Sequence, residues 1–396
     1  MSAPSGFATL VADRHIIVCC GSGGVGKTTT AAALALEGAR RGRNTVVVTI
    51  DPAKRLANAL GLESLADTAS AIDRALWDPD GVAPAEGRLS ALMLDTKSTF
   101  DRLVARYSGG EEQARGIIEN RFYRNVSSAL SGTQEYMAME KLHELHDEGG
   151  YDLIVVDTPP TRNALDFVDA PERLTRFLDH RLVRFLLFPT RATLRAASVA
   201  AQAFLRTMSR VVGTEAVQDA IAFFQAFEGM EQGFRDRAQK VLELLSDPGS
   251  AFVLVTSPRR DAVEEAMFFA ARLAETDIPV QGMIVNRIHP SFGDEAPAGL
   301  AARADSLAAR GDDAAMLSAL YRNLADLSEV ARLERDYANQ LAATIAAKEG
   351  APVPLAFVPY LSEDVHDFTG LTEIALHVFG DAPTPATASA LPATGF

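Results

Sequence analysis

The residues best placed to do chemistry are Gly21-Ser22-Gly23-Gly24-Val25-Gly26-Lys27-Thr28-Thr29. Their glycines let the backbone turn its N–H groups inward around an anion, where a side chain would block the approach. Lys27 is placed to reach the β and γ phosphates of a nucleotide, the Thr28 hydroxyl to ligate Mg²⁺, and Thr29 to meet the α phosphate. A magnesium nucleotide is the expected ligand. The alternative for the glycines alone is an ordinary strand-to-helix turn.

The flanking elements decide between these readings. An apolar run, His15 to Cys20, precedes the loop and an alanine-rich helical run, Thr29 to Arg40, follows it. Strand, glycine loop and helix thus come in the order a phosphate-binding P-loop needs. Cations and a glycine close the helix at Arg40-Arg41-Gly42-Arg43-Asn44, and the β-branched run Thr45 to Ile50 suits a buried parallel strand ending at Asp51. A carboxylate at the tip of that strand can hold a water in line with the γ phosphate. Asp51-Pro52 is also a natural helix cap, so both roles are open. A further apolar strand, Tyr151 to Val156, ends in Asp157 and the turn Thr158-Pro159-Pro160-Thr161.

Gly23 to Thr29 resembles the deviant Walker A loop of a family of ATPases. Its members include the arsenite-pump ATPase ArsA, the tail-anchored-protein targeting ATPases, the nitrogenase iron protein and the division-site ATPase MinD. Asp51-Pro52-Ala53 is similar to the family's switch I, and Asp157-Thr158-Pro159-Pro160-Thr161 to its Walker B and switch II; the three motifs stand in family order. The resemblance implies a doubly wound, mostly parallel α/β sheet that binds ATP and Mg²⁺. It also implies that Asp157 binds Mg²⁺ through a water, that Thr158 to Thr161 sense the γ phosphate, that Asn286 contacts adenine and that Pro359-Tyr360 lies over the base. Preference for ATP over GTP rests on the resemblance alone.

The sequence departs from the pattern in two places. Family members carry a lysine that reaches across a dimer interface where this chain has Ser22, and the targeting ATPases have His-Ser where it has Lys54-Arg55. A hydroxyl cannot supply the missing positive charge. Either a paralogue that retains the lysine completes a heterodimer, or Arg162, Arg287, Lys54 or Arg55 replaces it in a homodimer. The segment Ser127 to Tyr136 resembles a family stretch near the nucleotide but lacks its proline.

One ATPase domain is expected over residues 14–380, with a helical insertion at 165–246 and a disordered tail at 381–396 rich in Ala, Pro and Thr. Residues 1–13 read as a loosely held lead-in. In the insertion, Leu174, Phe177, Leu178, Leu182, Phe185 and Leu186 share one helical face, and Phe204, Phe223, Phe224, Phe227 and Phe234 follow. The resemblance implies a groove for an apolar client here, and ordinary core packing explains the same spacing. Strands are expected at 89–95, 252–256, 280–285 and 353–358. Leu391-Pro392-Ala393-Thr394-Gly395 spells a cell-wall sorting motif, but no apolar segment and basic tail follow it.

The 396 residues carry 52 acidic against 38 basic side chains, a net charge of -14, which argues against a nucleic-acid partner. No charged and apolar leader and no run of about 18 apolar residues is found, so a cytoplasmic protein outside the membrane is expected. The only two cysteines, Cys19 and Cys20, are adjacent in a strand and point to opposite faces. Arsenite chemistry, a zinc-clamped dimer and an iron–sulfur cluster all need thiolates arranged otherwise. His143 and His146, beside Glu144 and Asp147, read as a solvated helix end.

Overall fold

A strand covered on both faces needs apolar side chains at every position, and the runs around the glycine loop meet that demand. The computed structural model describes residues 6–51, 54–126, 133–158, 176, 213–226, 229–276, 278–350 and 352–380. The first part runs α1 (Gly6–Asp13), β1 (Ile16–Cys20), α2 (Lys27–Arg40), β2 (Asn44–Thr49), α3 (Arg55–Ala59), β3 (Ser70–Ala71), α4 (Arg74–Trp77) and β4 (Arg88–Met93). Next come α5 (Thr96–Tyr107), α6 (Glu111–Ile118), α7 (Arg121–Val126), α8 (Thr133–Asp147), β5 (Leu153–Asp157), α9 (Thr214–Ala226), α10 (Glu231–Ser246) and β6 (Ser250–Thr256). The last part holds α11 (Arg260–Glu275), β7 (Val280–Ile288), α12 (Pro297–Ala308), α13 (Ala315–Glu349), β8 (Leu355–Pro359) and α14 (Phe368–Phe379).

The strands form one sheet in the order β3-β4-β2-β5-β1-β6-β7-β8, parallel throughout except for the β3–β4 pair. Strand β1 lies between β5 and β6, and the chain leaves it first toward β2 and later toward β8. In such a sheet the crevice opens at the carboxyl ends of the strands, where the winding reverses. The expected doubly wound α/β architecture is therefore present.

Two apolar layers sandwich the sheet. Ile16, Val18 and Cys20 face one with α5, α8, α10 and α11, whereas Ile17 and Cys19 face the other with α1, α2 and α14. The two cysteines are buried and free, one in each layer. Phe223 and Phe234 of the aromatic series belong to the first layer, together with Met230; Phe234 packs edge-on to Phe100 with ring centroids 6.1 Å apart. The face from Leu174 to Leu186, and the tail from 381, lie outside the described residues.

Two expectations are corrected. Residues 6–13 are not a loose lead-in but helix α1, because Phe7, Leu10 and Val11 recur at helical spacing and bury against the second layer. His143 is not part of a solvated helix end. It is buried, with Nδ1 2.9 Å from Asp147, because α10 covers this end of α8 and brings Arg237 onto Glu140 and Asp147.

Candidate nucleotide site

Strand β1 ends in Cys20 and the chain enters the glycine loop directly at the crevice. Gly26, the residue before α2, is left-handed at φ 94° and the helix has no side-chain cap. The first N–H groups of α2 thus stay available to an anion, together with the positive end of the helix dipole. A side chain at Gly26 is excluded twice over, since its Cβ would also sit 2.1 Å from Asn286 Nδ2.

The loop borders a cavity of about 570 Å³, a size suited to a nucleotide. Gly23, Gly24, Gly26, Lys27, Thr28, Thr29, Asp51, Asn286 and Pro359 all line it, so residues as far apart in sequence as Gly23 and Pro359 share one cavity. Val25 is buried beneath the loop and offers its carbonyl rather than its side chain. Asp157 lies under the floor, fully buried.

At the phosphate end, Lys27 is buried and its Nζ donates to the Ser22 carbonyl at 2.8 Å. Burial lowers the ammonium's pKa, and the nearby Asp157 carboxylate is the main group opposing that. Thr49 Oγ1 donates to Asp157 Oδ2 at 2.8 Å and accepts from the Asp51 backbone N–H at 3.2 Å, so one hydroxyl ties the two acids together. This follows from the sheet register, which sets Thr49 of β2 beside Asp157 of β5. Burial pushes the Asp157 carboxyl up to about 6, against the Thr28 and Thr49 hydroxyls and Lys27, which favour the charged form. Among the described residues, Asp157 Oδ1 is buried without a hydrogen-bond donor. A buried carboxylate oxygen calls for a donor, and a metal-bound water beside Thr28 would provide one. Thr28 and Asp157 therefore fit Mg²⁺.

Asp51 is buried at the cavity wall with Arg55 Nη1 3.4 Å from its Oδ2. Thr158 lines the cavity, but its hydroxyl donates to the Cys19 carbonyl at 2.8 Å and ties the end of β5 to β1. Residues 159–161 and Arg162 lie outside the described residues. Gln134, within the stretch whose likeness to the family is incomplete, donates to the Ile50 carbonyl at 2.8 Å and so braces the end of β2.

At the other end, Asn286 Nδ2 donates to the Val25 carbonyl at 2.9 Å and Oδ1 accepts from the Arg287 backbone. A carboxamide carries two hydrogens and two acceptor positions, so one of each is left for a base. Arg287 itself is left-handed at φ 60°, where the β7–β8 register shifts, and its Nη1 donates to the Gly24 carbonyl at 3.0 Å. No local residue pattern marks that conformation in an arginine. Tyr360 follows Pro359 over the cavity, its ring 5.3 Å from that of His289, which is held by Glu334 of α13. Thr49, Gln134 and Glu334 are supporting residues that the motifs did not reveal. For Thr49 the signal was its place at a strand end next to Asp51; for the other two only the packing shows it.

The sequence was compared with known proteins. A family model described as "Anion-transporting ATPase" matches residues 14–308. The chain is 31% identical over 281 residues to an uncharacterized protein of Streptomyces coelicolor, covering 69% of this chain and 62% of that one. It is 27% identical over 295 residues to the ATPase GET3B of Arabidopsis thaliana, covering 70% and 65%, and 22% identical over 385 residues to a putative arsenical pump-driving ATPase of Aquifex aeolicus, covering 93% and 80%. The chain thus spans less than two thirds of the Streptomyces and Arabidopsis relatives' own lengths.

Proposed function

The chain belongs to the anion-transporting ATPase family, and on that premise we propose that it binds Mg-ATP in the cavity at the head of α2 and hydrolyses it. The observation that carries this reading is the convergence of Lys27, Thr28, Asp51 and Asp157 on one uncapped helix N-terminus. The loop N–H groups and Lys27 bind the phosphates, and Asn286 with the Pro359 loop takes the base. Thr28 and Asp157 would hold Mg²⁺, which would supply positive charge against the phosphates when bound. Asp51 orients a water toward the γ phosphorus. The new bond from the water oxygen forms as the bond to the β–γ bridging oxygen breaks; ADP leaves with the electron pair, and phosphate and one proton are released.

The finer reading is a cytoplasmic dimer in which the cycle changes the conformation of residues 165–246 and so the hold on an apolar client. Its support is the apolar composition of that stretch and the placement of Asp51 and Asp157 at strand tips that a γ phosphate would contact. Residues 14–380 act as one ATPase domain in this reading. No helix among the described residues is long and apolar enough to cross a membrane.

A second reading is favoured by Ser22. A chain lacking the cross-interface lysine would serve as the ATP-binding regulatory subunit of a heterodimer, with little hydrolysis of its own.

Asp51→Asn separates the two. Under the first reading it lowers phosphate release about a hundredfold or more while calorimetric Mg-ATP affinity stays within about threefold. Unchanged release would remove Asp51 from the water's position.

A further inference from the structure

Among the described residues, the cations lining the cavity are Lys27, Arg55 and Arg287. Lys27 Nζ is bonded to the Ser22 carbonyl and Arg287 Nη1 to the Gly24 carbonyl, so both brace the glycine loop. Arg55 is placed differently. Its backbone is fixed at the rim because Leu56, Ala57 and Ala59 of α3 are buried, while 57% of its own side chain is exposed. Its Nη1 lies 3.4 Å from Oδ2 of Asp51, whose side chain is 9% exposed.

This is a solvent-exposed cation beside a nearly buried carboxylate. Because the guanidinium side of the pair stays in water, its charge is screened there and it can exchange partners. A terminal phosphoryl group brings more negative charge than one carboxylate and accepts a guanidinium fork at two oxygens. Filling the cavity with a triphosphate therefore gives Arg55 a stronger partner within the cavity that it and Asp51 both line. Ser22 provides no side-chain charge at this end of the loop, so any protein cation there beyond Lys27 has to come from elsewhere on the cavity wall.

We propose that Arg55 is a catalytic residue supplied by the chain itself: it leaves Asp51 for the γ-phosphoryl oxygens when ATP binds. One exchange then does two things. It places positive charge where the transition state needs it, and it moves the arginine off Asp51 Oδ2, which can then accept a hydrogen bond from the attacking water. ADP, which lacks the γ group, leaves the Arg55–Asp51 pair in place. The inference rests on the ATPase reading of the site and extends it.

The test uses the full chain and its Arg55→Gln and Arg55→Lys variants, with calorimetric binding of Mg-ADP and Mg-ATPγS and single-turnover phosphate release from Mg-ATP. Arg55→Gln should bind ADP within about twofold of wild type, lose about tenfold in ATPγS affinity and release phosphate about a hundredfold more slowly. Arg55→Lys should fall between, since it keeps the charge without the fork. Retained ADP binding shows that each variant is folded. An unchanged ATPγS-to-ADP preference together with unchanged release overturns the inference. So does faster release from Arg55→Gln, which would make the arginine only a restraint on Asp51. A wild-type chain that binds no Mg-ATP overturns the ATPase reading and this inference together. A wild type that turns over beside an unaffected variant overturns this inference alone.

Discussion

At the scale of single residues, the site depends on backbone as much as on charge. Gly26 shows this best. Its φ of 94° is strained for any L side chain, and the added methyl group of an alanine would meet Asn286 Nδ2 at 2.1 Å. Asn286 would have to leave the Val25 carbonyl, so the glycine-loop and Asn286 ends of the cavity would be disturbed together. Gly26→Ala should cost about 1–3 kcal/mol of stability in urea unfolding and weaken Mg-ATP binding about tenfold or more. A variant that loses stability but keeps its affinity would show that the loop does not cradle the nucleotide. Thr49 works in the opposite way, through a hydroxyl with no reactive role that holds Asp51 and Asp157 in one arrangement.

Among the elements, α8 links the site to the helical layer. Its N-terminal turn braces β2 through Gln134, and its other end is clasped to α10, where Arg237 Nε meets Glu140 and Nη1 meets Asp147 at 3.0 Å. Arg237 and Glu140 are 5% and 2% exposed. Burial raises the Glu140 carboxyl's pKa, and Arg237 is the main group holding it charged. Such a pair stabilises little beyond an apolar substitute, but losing one partner strands the other charge. Arg237→Met should therefore destabilise the chain by about 3–5 kcal/mol in urea unfolding. Adding Glu140→Gln should recover a large part of that loss. If the double variant is as unstable as the sum of the two single ones, the residues do not act as a pair.

For the molecule as a whole, the question is whether one copy completes the site. The homodimer reading predicts that steady-state phosphate release per chain rises with protein concentration and levels off once the dimer is formed. Ser22→Lys should then change the rate only modestly, because a cation is already present. The heterodimer reading predicts release that is negligible at every concentration and that Ser22→Lys raises about a hundredfold, as expected of one preorganised charge at a phosphoryl group. Measuring both proteins over the same concentration series decides between them.

The sequence by itself determined the class of chemistry and the sheet that supports it. Glycines before Lys27-Thr28, β-branched runs ending in Asp51 and Asp157, and the absence of alternation in the strands are local patterns, and local backbone preference acts within a few residues. The contacts that set geometry are not local. Asn286 reaches Val25 across 261 positions, Gln134 reaches Ile50 across 84, and Arg237 reaches Glu140 across 97. The same holds for the burial of His143, which depends on α10 crossing α8, and for the left-handed Arg287, which the β7–β8 register shift accompanies. Helix α1 sits between the two cases, since its spacing of Phe7, Leu10 and Val11 was legible but too short to outweigh a terminal position. Only tertiary structure decided these points, because which side chain meets which depends on how whole elements pack rather than on their own composition.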